Sequence, residues 1–165
     1  MQNNIRSIFG SLLAAGLMFM GAPVLAQAVT NGQQVPALWG AQNADFFYSN
    51  PNSFYSCDYV RHLTRVTLQQ LGARNIHVQC AGGLPYDSTN SVTASFSTLQ
   101  PAPTGVKTSL VGTVASVMLT AHNSCDLHLQ VYENVIKHFH VYSQQEDDTC
   151  WDSTGDFQAK VVDLK

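Results

Sequence analysis

Residues 56–80 read SCDYVRHLTRVTLQQLGARNIHVQC, and residues 124–150 read SCDLHLQVYENVIKHFHVYSQQEDDTC. Each stretch opens on Ser-Cys-Asp, runs through an amphipathic segment, passes into a β-like segment and closes on a second cysteine. All four cysteines of the 165-residue chain lie inside these two stretches.

In the first stretch, Ser56 is the expected N-cap, and Asp58 sits in the first turn, where the helix dipole favours a carboxylate. Val60, Leu63, Val66 and Leu71 form the apolar stripe of a helix, while Arg61, Arg65 and Gln69 mark its wet face. Gly72 is the expected helix stop. In the second stretch, His122-Asn123-Ser124 is the expected cap. Leu129, Tyr132, Val135, Ile136 and Phe139 form the stripe, and Asp126, Gln130, Glu133 and Lys137 the wet face, with Glu133 and Lys137 spaced to pair.

Geometry favours a disulfide within each stretch over the other two pairings. A helix from Cys57 to Leu71 advances about 21 Å, and a strand from Arg74 to Cys80 returns about 20 Å. Cys80 therefore lands beside Cys57. By the same reasoning Cys125 meets Cys150, with the acidic residues after Gln145 forming a loop. Each bridge would contribute about 3 kcal/mol, mostly by restricting the unfolded chain.

Outward from these stretches, Val92, Ala94 and Phe96 alternate with Thr93, Ser95 and Ser97 as a half-buried strand. Gln100 to Gly105 reads as a loop between halves. Val111 to Ala121 reads as a Val-rich central strand, residues 139–145 as a strand, and Phe157 to Leu164 as a closing strand. Residues 27–52 are rich in Gln, Asn, Gly and Pro and read as an N-terminal arm, with a short strand expected at 45–48. Asn50 to Ser53 forms a turn. The resulting expectation is an α+β two-layer sandwich. It has one mostly antiparallel sheet, two helices on one face, a duplicated (β)αββ unit (56–99 and 111–164), and a single domain over 53–165.

Export is read from the start of the chain. Arg6 is the only charge before Asp45, and an apolar run from Ile8 to about Leu25 ends in Val24-Leu25-Ala26. Residues 1–26 are therefore expected to be a signal peptide cleaved after Ala26, with Ala28 the other candidate. The competing reading, a membrane anchor, requires about 18 apolar residues, and this run contains Ser11 and three glycines. The expected mature chain has no transmembrane segment and is periplasmic or secreted, which suits paired cysteines. Loss of Arg6 takes the net charge from −3 to about −4. No Lys/Arg cluster is present, which argues against nucleic acid and anionic membranes as partners.

Four groups of residues could carry chemistry. His77, His138 and His140 lie at or near strands. His138 and His140 are two apart, a spacing that places two rings on one strand face as in some Zn and Cu sites. A site built on them needs His77 as third ligand, hence neighbouring strands at 75–80 and 139–145. The simpler reading is that each is the outward residue of an alternating strand, and no cofactor or metal is expected. Glu146, Asp147, Asp148, Asp152 and Asp156 crowd one loop but lack the EF-hand pattern, so a solvated hairpin tip is expected. Trp39, Phe46, Phe47, Tyr48, Phe54 and Tyr55 gather before the first helix, and Trp151 lies beside the acidic loop. These rings are expected to pack on the core, the alternative being that they mark a binding surface. No motif for a nucleophile, P-loop or zinc protease occurs, so no catalytic residue is assigned. The leading functional expectation is a non-catalytic module that binds a protein, peptide or envelope component. The alternatives are a histidine-based metal-binding protein and a small hydrolase with a dispersed site.

Overall fold

The computed structural model describes residues 30–49, 55–82, 89–146, 150 and 154–164. The expected signal peptide, the turn at 50–53, most of the turn after Cys80, and Phe54, Asp147, Asp148, Trp151 and Asp152 lie outside them. The elements are β1 (Gln34–Ser49), α1 (Cys57–Gln70), β2 (Arg74–Gly82), β3 (Thr89–Pro101), β4 (Val111–His122), α2 (Cys125–Ile136), β5 (Val141–Glu146) and β6 (Thr154–Asp163). The six strands form one antiparallel sheet in the order β2-β3-β1-β4-β6-β5.

The largest departure from the sequence reading is β1. The stretch read as an arm with a short strand at 45–48 is a 16-residue strand set between β3 and β4. Its Gly, Gln and Asn residues are weak strand formers, and pairing overrides that propensity. Residues Ala37–Ser49 match Thr89–Pro101 of β3 without a break in register. Two residues of the expected inter-half loop, Gln100 and Pro101, are accordingly strand. Within β1, Ala44, Phe46 and Tyr48 are buried while Asp45 and Phe47 are exposed, the period of two that a pleated strand imposes.

β1 and β4 share only three paired positions, Gln34–Pro36 with Val111–Thr113. At this seam Gly112 leaves no room for a side chain. A Cβ there would sit 2.4 Å from Val162 Cγ1, 2.9 Å from Leu99 Cδ2 and 3.2 Å from Ala37 Cβ. A small apolar cluster of Ala37, Leu99 and Val162, with Trp39 and Tyr142 against it, surrounds the seam.

The main core joins both helices to β1, β2, β3, β4 and β6 in one cluster. From α1 it takes Val60, Leu63 and Leu68, and from α2 Leu127, Val131 and Val135. Burying each such side chain stabilises the fold by about 1.5–3 kcal/mol. The stripes differ from expectation in detail. Val66 and Leu129 are half-buried, whereas Leu68, Leu127 and Val131, which had not been assigned to them, are buried. The wet face of α1 is as read, with Arg61, Arg65 and Gln69 exposed. That of α2 is not, because Asp126 and Gln130 are half-buried. Lys137 Nζ donates to Asn134 Oδ1 at 3.1 Å. Arg61 Nη2 and Asp58 Oδ1 form an exposed ion pair at 2.7 Å.

Gly72 ends α1 as expected: its φ is +86°, and its N–H donates to the Gln69 carbonyl at 3.0 Å. Both disulfides join the residues expected, Cys57–Cys80 and Cys125–Cys150, with Cα–Cα distances of 5.5 and 5.6 Å. No described helix is long and apolar enough to cross a membrane.

Candidate functional site

Each bridge ties the start of a helix to chain that follows the helix. Cys57 opens α1 and reaches β2; Cys125 opens α2 and reaches Cys150, which lies between β5 and β6. The two helix starts then meet through side chains. Tyr48 Oη, on a fully buried ring, donates to Asp126 Oδ2 at 2.9 Å, and Tyr55 Oη donates to Asp126 Oδ1 at 3.4 Å. The rings of Tyr48 and Tyr55 lie 5.6 Å apart, and Tyr55 stacks on Tyr59 at 5.8 Å. Asn90, buried on β3, donates from Nδ2 to the Tyr55 carbonyl at 3.1 Å. Asp126 is thus an internal acceptor linking one half to the other. Sequence reading missed it because helix periodicity places it on the wet face, and nothing local announces a tyrosine 78 residues away.

Strands β2, β3 and β1 carry an outward face that can be read from their register. Asn43 stands opposite Ser95, which stands opposite His77; Asp45, Thr93 and Gln79 form the next row. Cross-strand neighbours of this kind have Cβ atoms about 4.5–5.5 Å apart. Four of these six are Asn, Ser, Thr or Gln, the others being His77 and Asp45, and all six are exposed. Phe47 belongs to the same face and is 73 % exposed. At the other end of the face, Trp39 is half-buried and lies under the Arg74 guanidinium, 5.0 Å from the ring centroid. Phe47 departs from the expectation that these aromatics pack on the core. Phe46 and Tyr48 share the buried side, so alternation turns Phe47 outward.

The histidines are dispersed. β2 and β5 are the two opposite edges of the sheet, so His77 is not brought to the start of β5. His138 and His140 precede β5 instead of sharing a strand face. His138 lies edge-on to Phe96, with centroids 5.9 Å apart, and Thr98 Oγ1 donates to its carbonyl at 3.3 Å. Burial, assisted by the neighbouring Lys137 charge and opposed by Asp45, holds its imidazole pKa below the usual histidine range. His140 is exposed and packs edge-on to Tyr142 at 4.8 Å; His77 Nε2 lies 3.1 Å from Gln79 Nε2. Among the described residues, no three His, Cys, Asp or Glu side chains converge as a metal site requires.

A cleft of about 210 Å³ opens between α1 and α2, floored by β4 and β6. His128 lines it, and among the described residues no carboxylate does. Comparison with known protein families, with curated proteins and with solved structures gives no match for this chain.

Proposed function

We propose that the protein is an exported, disulfide-stabilised binding module, and that it recognises a protein, peptide or envelope component through the outward face of β1, β3 and β2. The observation that carries this reading is Phe47. Its ring is 73 % exposed near the end of β1, two residues before Ser49 and paired with Ser91 of β3, where it adds little to the core. Polar, mostly uncharged neighbours surround it. A large exposed ring in a field of hydrogen-bonding side chains is the composition of a recognition surface. Two disulfides and the apolar N-terminal run support export, with cleavage after Ala26.

The same reading treats the chain as a duplicated βαββ unit with both helices on one face of the sheet. β1-α1-β2-β3 and β4-α2-β5-β6 repeat the same order, and β2-β3-β1 mirrors β5-β6-β4 across the seam. Helices on one face leave the opposite face of each unit for partners.

The test compares the mature protein with its Phe47→Asp variant on a resin challenged with envelope extract. The expected result is a component retained by the first and lost by the second, with thermal unfolding and both disulfides unchanged. Equal retention by both would remove this face from the reading. Retention by neither would remove the binding reading itself.

A further inference from the structure

We infer that the cleft between α1 and α2 is a binding site for a small uncharged molecule consisting of one ring with a hydrogen-bonding substituent. This site is separate from the sheet face proposed above and does not depend on it. Its size sets the first limit. An apolar cavity of about 150 Å³ accepts benzene, so about 210 Å³ accommodates one ring and a few further atoms.

The walls set the shape. Tyr132 and Phe157 are buried and stack with centroids 5.3 Å apart and planes 22° from parallel, which gives the cleft a rigid aromatic side. Leu63 and Leu119, also buried, close the inner end. Gln70 and Thr120 are exposed and Val66 is half-buried, so they form the mouth. A ring entering past Val66 would meet Leu63 and Leu119 at the inner end, with Thr67, Thr120 and His128 within the same lining for a polar substituent.

The polar group is assigned by Thr67. Thr64, three residues earlier on α1, satisfies its hydroxyl by donating to the Val60 carbonyl at 2.8 Å. Thr67 is 4 % exposed and lines the cleft, and among the described residues none hydrogen-bonds its hydroxyl. A buried hydroxyl normally has a partner, and a ligand hydroxyl or amide in the cleft supplies one. Among its described residues there is no Lys, Arg, Asp or Glu, and His128 is its one histidine, so an ionised ligand would lose hydration without meeting a permanent counter-charge.

The experiment is an NMR titration of the disulfide-bonded mature protein with phenol, beside toluene, benzoate and benzylammonium. Phenol is expected to bind saturably in the millimolar range or tighter, with shifts concentrated at Leu63, Thr67 and Tyr132. Both ions should bind at least about tenfold more weakly, in keeping with the cost of burying an unpaired charge. Thr67→Val keeps the shape and should weaken phenol about three- to tenfold, the equivalent of one hydrogen bond, while leaving toluene unchanged. Val66→Trp should block the mouth and abolish both. No saturable shift with phenol or toluene overturns the site, as does binding that persists in Val66→Trp. Benzoate binding as tightly as phenol overturns the uncharged ligand class. Equal loss of phenol and toluene in Thr67→Val, or no loss of either, overturns the role of the hydroxyl. If Val66→Trp fails to fold, the shift map on the unmodified protein decides the location.

Discussion

The two Ser-Cys-Asp starts are identical in letters and each opens a helix, yet their side chains do different things. At α1, Ser56 is extended and its Oγ accepts from the Tyr59 N–H at 3.3 Å, while Asp58 faces water and pairs with Arg61 at 2.7 Å. At α2, Ser124 is left-handed with φ of +56° and makes no side-chain cap, while Asp126 turns inward to Tyr48 and Tyr55. The cysteine is the part whose role repeats. Chain that must reach a disulfide at the first residue of a helix does so in both halves, and the flanking residues take whatever role their surroundings offer.

The largest effects should fall equally on both halves. Leu63→Ala in α1 and Leu127→Ala in α2 each remove a buried side chain of the shared core and should cost about 2–5 kcal/mol by denaturant unfolding. A cost confined to one of them would mean that the two helices do not share a core. Removing either bridge, as Cys57→Ala with Cys80→Ala or Cys125→Ala with Cys150→Ala, should cost about 3 kcal/mol each. Their loops are nearly the same length, with sequence separations of 23 and 25.

The aspartates should then separate the halves. Asp126→Ala deletes the acceptor of a hydrogen bond from a buried tyrosine to a carboxylate and should cost about 1.5–3 kcal/mol. Asp58→Ala, on an exposed pair, should cost under about 1 kcal/mol. Tyr48→Phe made in the Asp126→Ala background should add less than it does alone, since the two residues share one bond. Full additivity would show that the 2.9 Å contact carries no energy.

What could be read in advance follows the range of the interaction. The helix starts, the stop at Gly72 and both disulfides rest on spacing within about 26 residues, and the structure has them. β1 was not legible at its full length, because Gly40, Gln42 and Asn43 are poor strand formers and their partners on β3 lie more than 50 residues away. Asp126 was illegible for the same reason. Phe47 was legible in part: two adjacent phenylalanines on a strand must face opposite ways, though nothing local says which of them is inward. Where the three histidines stand relative to one another was not legible, because strand order, which sequence did not supply, sets β2 and β5 at opposite edges of the sheet.

The smallest effect is the one whose sign distinguishes the two starts. Serine in the left-handed region carries a steric cost that glycine does not. Ser124 occupies that region, and Asn123 before it does too, with φ of +62°. Ser124 makes no side-chain cap that a substitution could lose. Ser124→Gly should therefore raise stability, by about 0.5–1 kcal/mol after allowing for the greater freedom of glycine in the unfolded chain. Ser56 is extended, φ −65° and ψ 148°, and its Oγ holds the cap. Ser56→Gly should lower stability by a few tenths of a kcal/mol, and Ser56→Ala by about 1 kcal/mol. Thermal unfolding of the three variants beside the unmodified protein reads the signs directly. A loss of stability in Ser124→Gly would show that the backbone at the second start is not held left-handed, and that the two starts are more alike than their dihedral angles indicate.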